Sequence, residues 1–244
     1  MENPLAPDDL SVSVVIPTLN EARAIGATLD ALSRVRGITE VIVVDGGSSD
    51  DTPAAAAAHG ACVIACERGR GRQLQCGASA AHGEILWFVH ADTCAPPEAV
   101  ERILDALRDP RVAAGNFSLR FDGNTRPARV LTRLYPHFRK LGLLYGDSGI
   151  FVRRSAYEAS GGFQHYPIFE DLDLLRRVKR RGRFVSLPCT LVTSSRRFEG
   201  RSFTWTFTRW TFLQVLYWLG VSPHRLGRMY SDIRNPRRSA QDTT

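Results

Sequence analysis

The sequence predicts an α/β fold in which a mostly parallel sheet is flanked by helices and followed by an aromatic helical segment. Short apolar runs alternate with stretches whose apolar residues recur at helical spacing, the order expected of parallel strands joined by right-handed crossovers. Two of those runs, Val41-Ile42-Val43-Val44-Asp45 and Leu86-Trp87-Phe88-Val89-His90-Ala91-Asp92, end abruptly in a carboxylate, at the strand end where such sheets hold their ligands. A chain of 244 residues with 43% hydrophobic content buries one substantial core. Together these describe a single Rossmann-like domain with elaborations.

The elements follow in order. Residues 12–16 form the first strand, closed by Pro17, and Asn20-Glu21 opens a helix whose Ile25, Leu29, Leu32 and Val35 share one face until Gly37. Residues 40–44 are the second strand, 52–59 an alanine-rich helix, and 61–65 a third strand, where Cys62 and Cys66 flank Ile64 as small core residues. A basic glycine-rich loop, 68–72, leads into a helix through Leu74 and Ala78, and residues 85–89 form the fourth and most apolar strand. Val100, Ile103, Leu104 and Leu107 then mark an amphipathic helix that Pro110 terminates.

Here the alternation breaks. Residues 112–121 read as a longer strand, 127–144 as a mobile or helical insertion of the kind that covers sites, and 149–152 as a further strand. A helix over 170–180 turns Leu172, Leu175 and Val178 inward, and 183–187 is a last short strand before a basic loop at Arg196-Arg197. Residues 203–221 are strongly aromatic and apolar, yet Arg209 and Gln214 interrupt them and they barely reach bilayer length. They read as a helix packed on the domain or lying on a membrane surface, not spanning it. The organisation is a flexible N-terminus (1–10), a main domain (11–200), a helical extension (201–235) and a disordered tail (236–244).

Composition narrows the function classes. Five cysteines, without a C-x-x-C pair, indicate neither a disulfide framework nor a zinc knuckle, and fit a reducing cytoplasm. Residues 1–10 carry acidic residues and prolines where a signal peptide needs a basic start and an apolar run. The net charge of +7 suits nucleic acid, anionic lipid or phosphorylated small molecules. The densest basic run, residues 176–183, lies on a helix and its exit, and no nucleic-acid module accompanies it, so nucleic acid is set aside.

The pieces that carry chemistry are Val15-Ile16-Pro17-Thr18-Leu19-Asn20-Glu21, Asp45-Gly46-Gly47-Ser48-Ser49-Asp50-Asp51-Thr52, the 68–77 loop, His90-Ala91-Asp92 and Glu170-Asp171. In order and spacing they resemble the family 2 glycosyltransferases across roughly residues 11–200. The resemblance implies a GT-A fold, a nucleotide-diphosphate sugar donor, a Mg²⁺ or Mn²⁺ ion and inversion at the anomeric carbon. It places Pro17, Thr18, Glu21 and Asp45 at the nucleotide, with Glu21 near the ribose or base and Asp45 accepting from a uracil imide N–H. The residues themselves allow plainer roles, since Asn20-Glu21 also starts a helix and Asp45 also suits a turn.

Arg68 and Arg70 stand among glycines ahead of a helix, as anion binding requires and as a solvated basic turn also would. The loop lacks the Lys-Ser/Thr ending of a P-loop. His90-Ala91-Asp92 occupies the place of the family's Asp-x-Asp motif, so Asp92 is the implied metal ligand. His90 departs from that motif, which bears on donor choice, or is a satisfied core histidine. Glu170-Asp171 sits where the family carries its catalytic base: Asp171 is the candidate base and Glu170 an acceptor-orienting partner, against a charged first helical turn as the plain alternative. Gly146 to Gly149 could line the acceptor side.

Thr206-Phe207-Thr208-Arg209-Trp210 keeps the Arg-Trp of the Gln-x-x-Arg-Trp element in processive members but lacks its glutamine, so a single transfer is favoured. The leading reading is an inverting, metal-dependent transferase that moves one sugar from a UDP-hexose to a hydroxyl of a small or lipid-linked acceptor, in the cytoplasm or peripherally at the inner face of the membrane. Its rivals are a nucleotidyltransferase that makes nucleotide sugars and a noncatalytic sugar-nucleotide or membrane-binding module. A dinucleotide oxidoreductase is disfavoured because neither of the first two strand–helix turns carries Gly-x-Gly-x-x-Gly.

Overall fold

The computed structural model describes residues 10–123, 129–130, 132–133, 148–194 and 203–234. The expectations for residues 1–9, for most of the 127–144 insertion, for Gly146 and Asp147, for Arg196 and Arg197, and for the tail lie outside these. The elements are β1 (Val12–Thr18), α1 (Ala22–Leu32), β2 (Ile38–Asp45), α2 (Thr52–Ala58), β3 (Cys62–Ala65), α3 (Arg70–Ala80), β4 (Ile85–Phe88) and β5 (Thr93–Cys94). They continue with α4 (Ala99–Leu107), β6 (Val112–Phe121), β7 (Phe151–Arg153), α5 (Arg154–Ala159), α6 (Glu170–Val178), β8 (Arg183–Thr193), α7 (Phe203–Trp218) and α8 (Pro223–Arg234).

The strands form one sheet in the order β3-β2-β1-β4-β7-β6-β8-β5. β1 runs parallel to β2 and β4, β2 to β3, and β6 to β8, while β7 and β5 oppose their neighbours. The carboxyl ends of β1, β2 and β4 therefore share one edge, and Thr18 is paired with Asp45 there.

Helices cover both faces, which is why the strands read as unbroken apolar runs. Val14, Ile16, Val43 and Trp87 point into one core with Ile25 and Leu29 of α1 and Val100 and Ile103 of α4. Val15, Ile42, Val44 and Leu86, the alternate residues, point into the other with Leu74 of α3 and Leu174 and Leu175 of α6. Each fully buried side chain of this size contributes about 1.5–3 kcal/mol relative to exposure. α3 lies so close to the sheet that a methyl group at Gly77 would stand 2.4 Å from Val15 Cγ1 and 2.8 Å from Val44 Cγ2. A third, smaller core joins Ile168 and Phe169 to Leu213 of α7 and Leu226 of α8, so the aromatic extension packs on the domain.

Several boundaries differ from expectation. β1 runs through Pro17 to Thr18. Val15 is the last β1 residue paired with β4, so the missing Pro17 N–H faces a side where the ladder has already ended. α3 begins at Arg70, which places Arg70 and Arg72 in a helical first turn behind Gly69 at φ 146°, not in a loop. β8 continues to Thr193, β5 and α5 are additions to the expected elements, and the helical extension divides into α7 and α8. Cys62 is exposed and Cys66 half-buried, because β3 is a four-residue strand at the sheet edge with only one strand neighbour. All five thiols are free. Among the described residues no helix is long and apolar enough to cross a membrane.

Candidate active site

At the β1–β2 edge, Asp45 is buried and its carboxylate organises the turn that follows it. Oδ2 accepts the backbone N–H of Gly47 (3.0 Å) and Ser48 (2.9 Å), and Oδ1 accepts the hydroxyls of Ser48 (2.5 Å) and Thr18 (3.4 Å). Asp45 is thus the turn residue that its sequence context allowed. Gly47, at φ 84°, supplies the left-handed step in that turn. The two loops are then stitched together: Asn20 N–H donates to Ser48 Oγ (2.8 Å), Ser49 N–H to Asn20 Oδ1 (2.8 Å), and Glu21 N–H to Thr52 Oγ1 (2.8 Å).

Asp50 completes this lattice. It accepts from Ala22 N–H (3.2 Å), from Thr52 N–H (3.1 Å) and from the Thr52 hydroxyl, so it serves the first turns of α1 and α2 at once. The Thr52 hydroxyl bond is the main reason its carboxyl is held below the usual carboxylate range. Glu21 and Asp51 occupy the N-cap positions of those helices without a side-chain cap bond.

Gln73, which sequence reasoning missed, fixes the strand ends from below. It is buried in α3, and its amide donates to both Thr18 O and Val44 O at 2.8 Å. Its signal in the sequence is faint: a glutamine beside the inward Leu74 of a helix rich in polar residues.

Three of the remaining predicted residues, His90, Glu170 and Asp171, meet at Arg70. Its guanidinium lies 2.5 Å from His90 Nε2, 3.2 Å from Glu170 Oε1 and 3.9 Å from Asp171 Oδ2. A guanidinium has only donors, so in this contact His90 Nε2 is the acceptor. Glu170 and Asp171, 3% and 8% exposed, are buried carboxylates whose charge Arg70 offsets. The first turn of α3 reaches them because Gly71 lacks a side chain: a Cβ there would stand 2.5 Å from Gln164 O and 3.4 Å from Glu170 Cβ.

Asp92, half-buried, follows two residues after His90 in the turn between β4 and β5. That turn is anchored by Thr28 Oγ1 donating to Ala91 O (2.8 Å) and by Ser194 N–H donating to Asp92 O (3.2 Å). Among the described residues no group of three His, Cys, Asp or Glu side chains stands ready to hold a cation alone. A lone carboxylate still suits a Mg²⁺-like ion when substrate phosphates supply the other oxygens.

Two arginines that the sequence singles out, Arg68 of the basic loop and Arg209 of the Arg-Trp pair, lie apart from this cluster. Arg68 is exposed, outside the Arg70 contacts. Arg209 turns into the C-terminal helix pair, donating to Tyr230 O (2.8 Å) with its guanidinium 4.8 Å from the Tyr230 ring. Phe169 is a second residue that the sequence did not single out. It precedes the carboxylate pair with φ 63°, an outlier for a bulky side chain.

Comparison with known proteins agrees with this architecture. Residues 13–159 match the family described as glycosyl transferase family 2. Glucosyl-3-phosphoglycerate synthase of Mycolicibacterium smegmatis is 35% identical over 109 residues, covering 40% of this chain and 36% of that enzyme. The chain thus aligns with about a third of that relative's length. The solved glucosyl-3-phosphoglycerate synthase of Mycobacterium tuberculosis, in complex with Mn²⁺, UDP and phosphoglyceric acid, superposes with a TM-score of 0.64 at 21% identity, over 89% of this chain and 81% of that one. The mannosyltransferase of Pyrobaculum calidifontis, in complex with GDP-mannose and Mn²⁺, gives 0.59 at 25% identity, over 74% and 56%. The family match extends over more than half of the sequence and the fold agrees with it, so this chain belongs to glycosyl transferase family 2.

Proposed function

We propose that the chain transfers a single sugar from a nucleotide-diphosphate donor, a UDP-hexose, to a hydroxyl of a small acceptor, with a divalent metal and inversion at the anomeric carbon. The observation that carries this reading is the meeting of Arg70 with His90 on one side and with Glu170 and Asp171 on the other. An inverting displacement needs a carboxylate at the acceptor, across the sugar from the departing diphosphate, and Arg70 spans those two sides.

In this reading Pro17, Thr18, Glu21 and Asp45 border the nucleoside, and Arg68 and Arg70 face the phosphates. Asp92 holds Mg²⁺ or Mn²⁺ together with diphosphate oxygens, and the bound ion offsets charge on the leaving nucleoside diphosphate. Asp171 removes the proton of the acceptor hydroxyl, and Glu170 orients that acceptor. Phosphoglyceric acid, carried by the solved mycobacterial relative, is the first acceptor to test.

Calorimetry with UDP and Mn²⁺, paired with a transfer assay, separates the roles. Asp92→Ala weakens Mn²⁺-dependent UDP binding tenfold or more, and unchanged affinity refutes the metal assignment. Asp171→Asn keeps UDP affinity but loses about 10²–10⁴ in transfer, the range of general-base catalysis, and full transfer refutes the base assignment.

A second element of the reading is a peripheral contact with lipid. Phe212, Val215 and Trp218 on the outward side of α7, and Leu219 directly after it, are 55%, 41%, 59% and 75% exposed. An interfacial helix presents such a face to the headgroup boundary. Cosedimentation with anionic vesicles, lost in Trp218→Ser/Leu219→Ser, tests it, and equal sedimentation of the variant rejects it.

A further inference from the structure

Glu170 and Asp171 are the first two residues of α6, so their direction is set by the residue before them. Phe169 is left-handed there, a conformation disfavoured for an L-residue with a bulky side chain. In that conformation its carbonyl accepts Asp173 N–H (3.0 Å), which starts the helix. Its ring, on a residue only 4% exposed, enters the third core. Trp210 and Tyr217 of α7 hold it there, with ring centroids at 6.1 Å and 74° and at 5.1 Å and 36°. An extended backbone at 169 would withdraw the ring from that grip and re-aim the first turn of α6. The matched family stretch ends at residue 159, so the carboxylate pair and its clamp both lie beyond it.

We infer that Phe169 is a positioning residue, and that α7, by gripping its ring, keeps the backbone left-handed and fixes how Glu170 and Asp171 enter the site. The catalytic meaning of this rests on the reading of Asp171 as the base. The clamp itself does not.

Hydrogen–deuterium exchange of the full chain, read on the peptide over residues 168–174, tests the clamp in Phe169→Asn, Phe169→Val, Trp210→Ala and the double variant Phe169→Asn/Trp210→Ala. Asparagine tolerates the left-handed region and β-branched valine does not, whereas burial alone ranks them the other way. Valine is expected to speed exchange at least tenfold more than asparagine. Trp210→Ala is expected to speed it tenfold or more when Phe169 is present but less than threefold in the Phe169→Asn background, because its effect passes through the ring. Exchange in the valine variant no faster than in the asparagine variant, or an equal effect of Trp210→Ala in both backgrounds, overturns the inference. UDP-glucose turnover with Mn²⁺ in Asp171→Asn is the separate check: full activity removes the base and leaves the exchange result standing.

Discussion

On the β1–β2 side of the site, Asp45, Ser48, Asn20, Asp50 and Thr52 bond one another within two short loops, and most of the bonds use backbone N–H groups that any sequence of that shape offers. On the α6 side, Glu170 and Asp171 depend on side chains brought from far along the chain, Arg70 from α3 and Trp210 and Tyr217 from α7. The first half is a local construction that a polar loop motif specifies. The second is tertiary, and a change anywhere along three elements disturbs it.

That contrast orders the expected effects. Gly71→Ala should be the most damaging, because the new methyl meets the Gln164 carbonyl, a backbone atom that cannot swing aside. A cost of about 2–3 kcal/mol is expected from such overpacking, and a transfer assay should lose more than UDP calorimetry does. Equal losses in both would break the separation of the two halves.

Arg70→Ala comes next. It leaves two buried carboxylates with less compensation, but the arginine side chain is itself 37% exposed and solvent screens part of the pair, so about 2 kcal/mol of unfolding stability is expected to go in urea titration.

Gln73→Leu keeps the volume and deletes two donors. The Thr18 and Val44 carbonyls each retain one other partner, Gly46 N–H and the Thr18 hydroxyl, so the cost is about 1–2 kcal/mol. UDP affinity should fall while the exchange of residues 168–174 stays unchanged, which sharpens the comparison from the opposite side.

The smallest effect is acid sensitivity of the loop lattice. The folded-state pKa of Asp50 is lowered by its Thr52 and backbone bonds. Its contribution is therefore complete above the unfolded carboxyl value of about 3.9 and is lost as pH falls through the folded value. Melting temperatures taken from about pH 5 to about pH 3 should fall more steeply for the parent than for Asp50→Asn.

The same division explains what the sequence made legible. Asp45 and Asp92 stand out because each closes an apolar strand, and the strand alternation alone orders β1 to β4. Glu170-Asp171 stands out as a charged pair opening a helix. Arg70 was legible as a cation but not as the hub, because its partners come from the turn after β4 and from α6. Gln73 looks like any helical glutamine until Thr18 O and Val44 O are seen beneath it. Phe169 is hidden more deeply, since no local pattern predicts a left-handed aromatic residue. β5, two residues long, exists only because β8 extends far enough to pair with it. Cys62 was misjudged because strand periodicity does not reveal which strand lies at a sheet edge.

β6 ends at Phe121 and β7 begins at Phe151, and the two run antiparallel as neighbours in the middle of the sheet. β6 runs in the sense of β4, so the chain leaves the sheet and rejoins it at the rim that bears Asp92. The connection from β6 to β7 is therefore rooted at both ends on that rim. Its roots are tied to the frame, Asp122 N–H donating to Thr193 O (2.8 Å) and Phe88 N–H to Ile150 O (2.8 Å), so the length between them can change across descendants of this scaffold while the strands beneath stay paired.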